Sequence, residues 1–365
     1  MPDNSKISFG SKPEKEPVKT KFYRLSEQAM RFQEKIFRRA SNSIAAMLKR
    51  PLINEYYQKF VNLDENSSEY VVCLAEIGRF WAQKKEFEVN RQDKRIDDIV
   101  NSDEACIFIM NHDHQAQDPV LLGCVANLLY SKYLEAGKGE TCPRPKIIMN
   151  EDILSTQPEK MRAIFEKFGA VGVDASLFRP PDGGKRNTKQ LIPMMTGFCK
   201  DANHVFIFPE GKMCAFDDLD LKQKFQSGVG ELVRIAAKSK GRVKVIPLGF
   251  DYNSKAKDFL GSIYIGEPVY FKKDGDKLLV STGNITERDA LPNYSNYFLN
   301  DNNSNASQTI DDVKYKVLTT EGEPVSGKIL KRYISGVLVE NLRICKNKAH
   351  EQLPQKSKGE EVIWV

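Results

Sequence analysis

Apolar positions along the chain fall into two textures. From Ser26, a plausible helix N-cap, Met30, Phe37, Ile44, Met47 and Leu48 keep one helical face apolar until Pro51 stops the run. After the polar stretch DENSS, Tyr70, Leu74, Ile77 and Trp81 recur at i, i+4, i+7 and i+11, predicting a second helix. Beyond Val89 short apolar runs alternate with helical patterns. Strands are predicted at Ala105–Met110, Lys146–Met149, Gly169–Val173, Val205–Phe208, Val243–Phe250 and Ser262–Ile265. Helices are predicted at Pro119–Leu134, Pro158–Phe168, Asn187–Lys200, kinked or shortened at Pro193, and Gly228–Lys240.

This alternation predicts an α/β fold, a mixed and largely parallel sheet flanked by helices, with an N-terminal helical region. The expected organisation is a disordered tail over 1–21, the helical region over 22–92 and an α/β domain over 93–350. After Phe271 the pattern turns irregular, with an Asn/Ser-rich loop over 293–307. A last helix, Lys328 to about Lys348, has Leu330, Ile334, Val337, Leu338 and Leu342 on one side and an outer face made basic by Lys331, Arg332, Arg343, Lys346 and Lys348.

Composition narrows the picture. At 365 residues, 28% charged and 41% hydrophobic, the chain has the balance of a globular protein with ample core. Its 55 Lys and Arg against 49 Asp and Glu give a net charge of +6, too mild to point to nucleic acid. The seven cysteines are scattered through apolar runs without a CxxC pair, which reads as buried free thiols in a reducing compartment. The polar first twenty residues predict no signal peptide, and no apolar run reaches the roughly 20 residues that span a bilayer.

Candidate chemistry concentrates in Ala105–Val120, ACIFIMNHDHQAQDPV. Its apolar start reads as a strand buried on both faces, and its end places polar groups where open α/β sheets bind ligands. His112 has five residues between it and Asp118. Through a turn the carboxylate can hold one imidazole nitrogen and raise the basicity of the other. Such a pair can also simply cap a turn and the following helix. If the segment is already helical, His114 and Asp118 share a face at i, i+4 instead. A zinc site would require more imidazoles, and only His204 and His350 remain, so no metal is expected.

Four more landmarks follow in order: Arg179 and Lys185-Arg186 around the turn RPPDGGKR, Phe208-Pro209-Glu210-Gly211-Lys212 ending a strand, Phe225-Gln226-Ser227-Gly228 before a helix, and Val245-Ile246-Pro247-Leu248 in the next strand. With Asn111-His112 and Asp118-Pro119, this ordered set over roughly 105–270 resembles the glycerolipid acyltransferase superfamily, which includes glycerol-3-phosphate and lysophosphatidate (1-acylglycerol-3-phosphate) acyltransferases. Two features depart from the usual family pattern. The common His-to-Asp separation is four residues, where His112 gives five and His114 three; and Lys212-Met213 stands where Thr or Ser and then Arg usually follow the Gly.

The resemblance implies acyl transfer from a thioester, acyl-CoA or an acyl carrier protein, to a hydroxyl of glycerol-3-phosphate in phospholipid biosynthesis. Lysophosphatidate is the alternative acceptor. A catalytically silent lipid or acyl-carrier binding protein of the same fold is the alternative function. It implies His112 as the base, with His114 in reserve and Asp118 as its partner. Arg179, Lys212, Lys185 and Arg186 are the implied phosphate cradle, and Pro209, Glu210, Gly211, Phe225 and Gly228 are implied to shape the turns. No cofactor is implied beyond the acyl co-substrate. A cytoplasmic location with peripheral contact to a membrane surface is expected, because the product is a lipid.

Overall fold

The computed structural model describes residues 51–83, 87–89, 93–102, 104–112, 118–157, 159–173, 196–197, 203–209, 227–253, 260–275, 277–281, 307–310, 313–317, 319–320, 323–324 and 327–353. The predicted helix over 26–50, most of the one at Asn187–Lys200 with its Pro193, and nearly all of the 293–307 loop lie outside them. Pro51 opens a helix, α1 (Pro51–Asn62), where its missing N–H has no intrahelical acceptor to lose. The helix expected after DENSS is α2 (Ser68–Gln83), with Tyr70, Leu74 and Ile77 buried as the spacing predicts.

Next come β1 (Phe87–Val89), α3 (Asp93–Asn101), β2 (Cys106–Met110), α4 (Asp118–Glu135), β3 (Pro145–Asn150), α5 (Glu151–Ser155), α6 (Glu159–Lys167), β4 (Ala170–Val173), β5 (His204–Ile207), α7 (Ser227–Lys240) and β6 (Arg242–Asn253). Then follow β7 (Leu260–Ile265), β8 (Val269–Asp274), β9 (Lys277–Ser281), β10 (Ser307–Ile310), β11 (Val313–Val317), β12 (Thr319–Thr320), β13 (Glu323–Pro324) and α8 (Gly327–Glu351). The fold is α/β: a mixed sheet of 11 strands with helices on both faces.

Its order is β10-β11-β9-β8-β6-β2-β5-β3-β4, with β7 on β6 and β1 on β7. The run β6-β2-β5-β3-β4 is parallel throughout. Strand β2 lies inside it and is buried on both faces. Cys106, Phe108 and Met110 enter the core beneath α2 and α4, while Ile107 and Ile109 enter the core beneath α7 and α8. Helices α2 and α4 approach closely at Gly78, where a Cβ would lie 2.4 Å from the Gly123 carbonyl oxygen.

Strand β6 pairs with β2 along one edge. Along the other it pairs antiparallel with β8 over Arg242–Val245 and with β7 over Leu248–Asn253. Pro247 sits at the changeover, where the partner strand breaks at Gly266–Pro268 and no donor is needed. Its carbonyl accepts from Gly266 N–H at 2.8 Å.

Two expectations are corrected. The chain after Phe271 is not irregular: β8, β9, β11 and β10 form an antiparallel extension of the sheet. The basic side of α8 is not simply an outer face either. Lys346 is buried, Lys331 and Arg343 pair with the buried carboxylates of Glu231 and Glu340 at 2.7 and 2.8 Å, and Lys348 lies 5.1 Å over the Tyr264 ring. The reason is position: α8 packs against α7 and β6 together, so its flanks are covered and long aliphatic stems run along them. Cys73, Cys106, Cys124, Cys142 and Cys345 are free and buried. No described helix is long and apolar enough to cross a membrane.

Candidate functional site

The carboxyl end of β2 delivers His112. Because β2 and β5 are adjacent, parallel and paired Ile109 to Ile207, both strands leave the sheet at the same level. The half-buried His112 ring therefore meets Phe208, the first residue beyond β5, at a centroid distance of 4.8 Å and a 38° tilt. Pro209, the next residue, is buried. Two sequence landmarks almost a hundred residues apart, Asn111-His112 and Phe208-Pro209, thus meet at one pole of the sheet.

Asn111 holds that pole together. Its side chain is fully buried, donates from Nδ2 to the Phe250 carbonyl at 2.8 Å, and accepts on Oδ1 from Phe250 N–H at 2.7 Å. Asp118 opens α4, and Gly228 lies in the first turn of α7. Helix α7 runs on into the start of β6, so its first turn belongs to the pole where the parallel strands end. The side chain of Asp118 lies outside the described set, as do His114, Arg179, Lys185, Arg186, Glu210, Gly211, Lys212 and Phe225.

The other histidines differ sharply. His204 begins β5, at the opposite pole, and is fully buried. Its Nδ1 accepts from Cys106 N–H at 3.1 Å, which leaves the ring hydrogen on Nε2, 3.0 Å from the Tyr133 hydroxyl. Burial, aided by the charges of Lys244 and Lys240, lowers its pKa to about 3. It is a neutral structural ring.

His350, near the end of α8, places Nδ1 2.6 Å from Oδ2 of Asp251 on β6; the carboxylate is 3% exposed and the imidazole 60%. Opposite Asp251 in the β6–β7 ladder stands Ser262, whose buried Oγ has no hydrogen-bond partner among the described residues. Sequence reasoning missed this His–Asp pair. Its members are 99 positions apart on a strand and a helix, and no spacing rule connects them. Among the described residues no cluster of three or more His, Cys, Asp or Glu could hold a metal ion.

Chemically, the pole offers a half-buried imidazole on a rigid strand end, braced by an aromatic ring. A proton acceptor placed at the end of a parallel strand suits activation of a bound hydroxyl. No family model matches this chain, and no curated protein matches it.

Proposed function

We propose that the chain is an O-acyltransferase that moves a fatty acyl group from a thioester to a hydroxyl of glycerol-3-phosphate. The observation that carries this reading is the meeting of His112 with Phe208-Pro209 at the carboxyl pole of a parallel sheet. The two strongest landmarks of the resemblance then belong to one site.

In this reading His112 takes the hydroxyl proton as the alcohol oxygen attacks the thioester carbonyl. The tetrahedral intermediate expels the thiolate, and the imidazolium returns the proton to that sulfur. One C–O bond forms and one C–S bond breaks. Asp118, at the start of α4, steadies the imidazolium, and His114 is the alternative base. No acyl-enzyme intervenes, so no nucleophilic Ser or Cys is required. Arg179, Lys212, Lys185 and Arg186 supply positive charge to the acceptor phosphate; Arg can fork two of its oxygens, and Lys212 gives charge without that fork. Pro209, Glu210, Gly211, Phe225 and Gly228 shape the turns around the acceptor. The donor is acyl-CoA or an acyl carrier protein, and the lipid product calls for peripheral contact with a membrane surface.

The test is acyl transfer by the purified full chain, with glycerol-3-phosphate and lysophosphatidate offered separately to each thioester donor, beside His112→Ala and His114→Ala. Turnover lost only in His112→Ala supports the reading and identifies the base. Turnover with lysophosphatidate alone changes the acceptor. A folded protein that binds donor but transfers to neither acceptor refutes the enzyme and leaves the silent binding protein.

A further inference from the structure

The ladder between β2 and β6 pairs Cys106 with Lys244 and continues to Met110 with Leu248. Carried two residues further, the same register would place the backbone of His112 opposite Phe250. The hydrogen-bonding groups of Phe250 are instead taken by the side chain of Asn111, its Nδ2 donating to the Phe250 carbonyl at 2.8 Å and its Oδ1 accepting from Phe250 N–H at 2.7 Å. A carboxamide carries a donor and an acceptor side by side, so it can take both main-chain groups of Phe250, which a continued parallel ladder would share between the two residues flanking His112. Asn111 is fully buried, and leaving either Phe250 group without a partner there would be costly.

This substitution of side chain for main chain has a geometric result. The sheet edge at Phe250 is completed one residue early, so His112 need not stay in the ladder. Its ring turns toward β5 and rests on Phe208, which by register lies level with Met110. We propose that Asn111 is a positioning residue for His112: by taking the main-chain groups of Phe250 that further strand residues would otherwise pair, it ends β2 and sets the aim of the imidazole.

The proposal deepens the acyltransferase reading, but its first test does not depend on activity. Histidine-labelled full-length protein is observed by NMR, with the His112 signal assigned by its loss in His112→Ala. In the native chain the Phe208 ring current shifts the His112 ring protons, and Phe208→Leu removes that shift. Asn111→Ala is expected to lose it as well, with the buried His204 signal unchanged as an internal mark of the fold. Asn111→Ser, whose hydroxyl can hold one of the two Phe250 groups, is the gentler variant and is expected to show partial loss. Full retention of the shift in either variant, with His204 unchanged, overturns the proposal.

The kinetic arm expects kcat to fall about 100-fold with KM within a factor of two, the pattern of a misplaced base. Gly169→Ala, which crowds the Pro145 carbonyl beside His204 at the opposite pole of the sheet, is expected to lower stability while leaving the His112 shift and kcat in place. Absence of turnover in the native chain with every acceptor removes the acyltransferase reading alone, and the NMR arm still decides the role of Asn111.

Discussion

His350 on α8 sets its Nδ1 2.6 Å from Oδ2 of Asp251 on β6, so the end of the last helix is tied to the centre of the sheet. The carboxylate is buried and the imidazole mostly exposed, so solvent screens one side of the pair only. His350→Ala is expected to lower stability by about 1 kcal/mol, and His350→Gln, which keeps an N–H donor, by less. Urea unfolding with the slope held fixed checks this, and equal losses in the two variants would deny that the hydrogen bond matters. Across the ladder, Ser262→Ala removes a buried hydroxyl with no partner among the described residues, so it is expected to gain up to about 1 kcal/mol.

His204 makes folding pH-dependent with a definite sign. Its native pKa is lowered to about 3, while the unfolded ring titrates at the ordinary histidine value of 6.5. Above pH 6.5 both states are neutral there and the site contributes its full stability. As pH falls below 6.5 the unfolded chain takes up a proton that the native chain refuses, so stability drops by about 1.4 kcal/mol per pH unit until the native pKa is reached. The His204 ring signal should therefore stay in its neutral position down to pH 4 in the native protein. A titration midpoint near 6.5 for that signal would sink the prediction.

Much of the architecture was readable in the pattern of apolar residues. Strand β2 stands out because CIFIM is apolar on both faces and ends abruptly at Asn111, which is also why His112 could be singled out. The hairpin of β10 and β11 was harder to see. In VKYKV, Val313, Tyr315 and Val317 alternate with Lys314 and Lys316, but over only five residues beside an Asn/Ser-rich stretch. Burial of Lys346 was illegible for another reason: helical periodicity reports one face, whereas α8 is covered by a helix and a sheet together. The His112–Phe208 contact required knowing that β5 inserts beside β2, a pairing across 98 positions from Ile109 to Ile207 that no local signal encodes.

Gly249 lets α8 lie directly on β6. A Cβ there would fall 2.1 Å from the backbone carbonyl of Cys345, and helix backbone cannot yield as a side-chain tip can. Gly249→Ala is expected to cost about 3 kcal/mol by forcing the helix away from the strand. Gly241→Ala meets nothing within 4 Å and carries only the strain of φ +76°, about 1–2 kcal/mol. Thermal unfolding of the two variants side by side should preserve that order, and the reverse order would refute the close approach.

The thiols of Cys106 and Cys124 are pushed up to about 12 by burial, so at pH 8 almost no thiolate is present and reagent cannot reach them. Alkylation at these two positions, read by peptide mass spectrometry, should proceed at the rate of unfolding and accelerate with urea in parallel with it. Labelling that is rapid in the native protein would show that the cores around β2 open independently.

The bond between Asn111 and Phe250 joins positions 139 residues apart. During synthesis at about 5–20 residues per second, the partner of Asn111 emerges roughly 7–28 s after Asn111 itself. For the first part of that interval, until β5 is made, β2 exists as an apolar strand with neither flanking neighbour, and it lacks the second until β6 follows. The bond that closes this strand end therefore also sets a waiting time, at the start of which the nascent chain presents a bare hydrophobic ribbon to chaperones and to other copies of itself. Slowed translation between residues 112 and 204 should lower the yield of folded protein, while a pause placed after residue 253 should not.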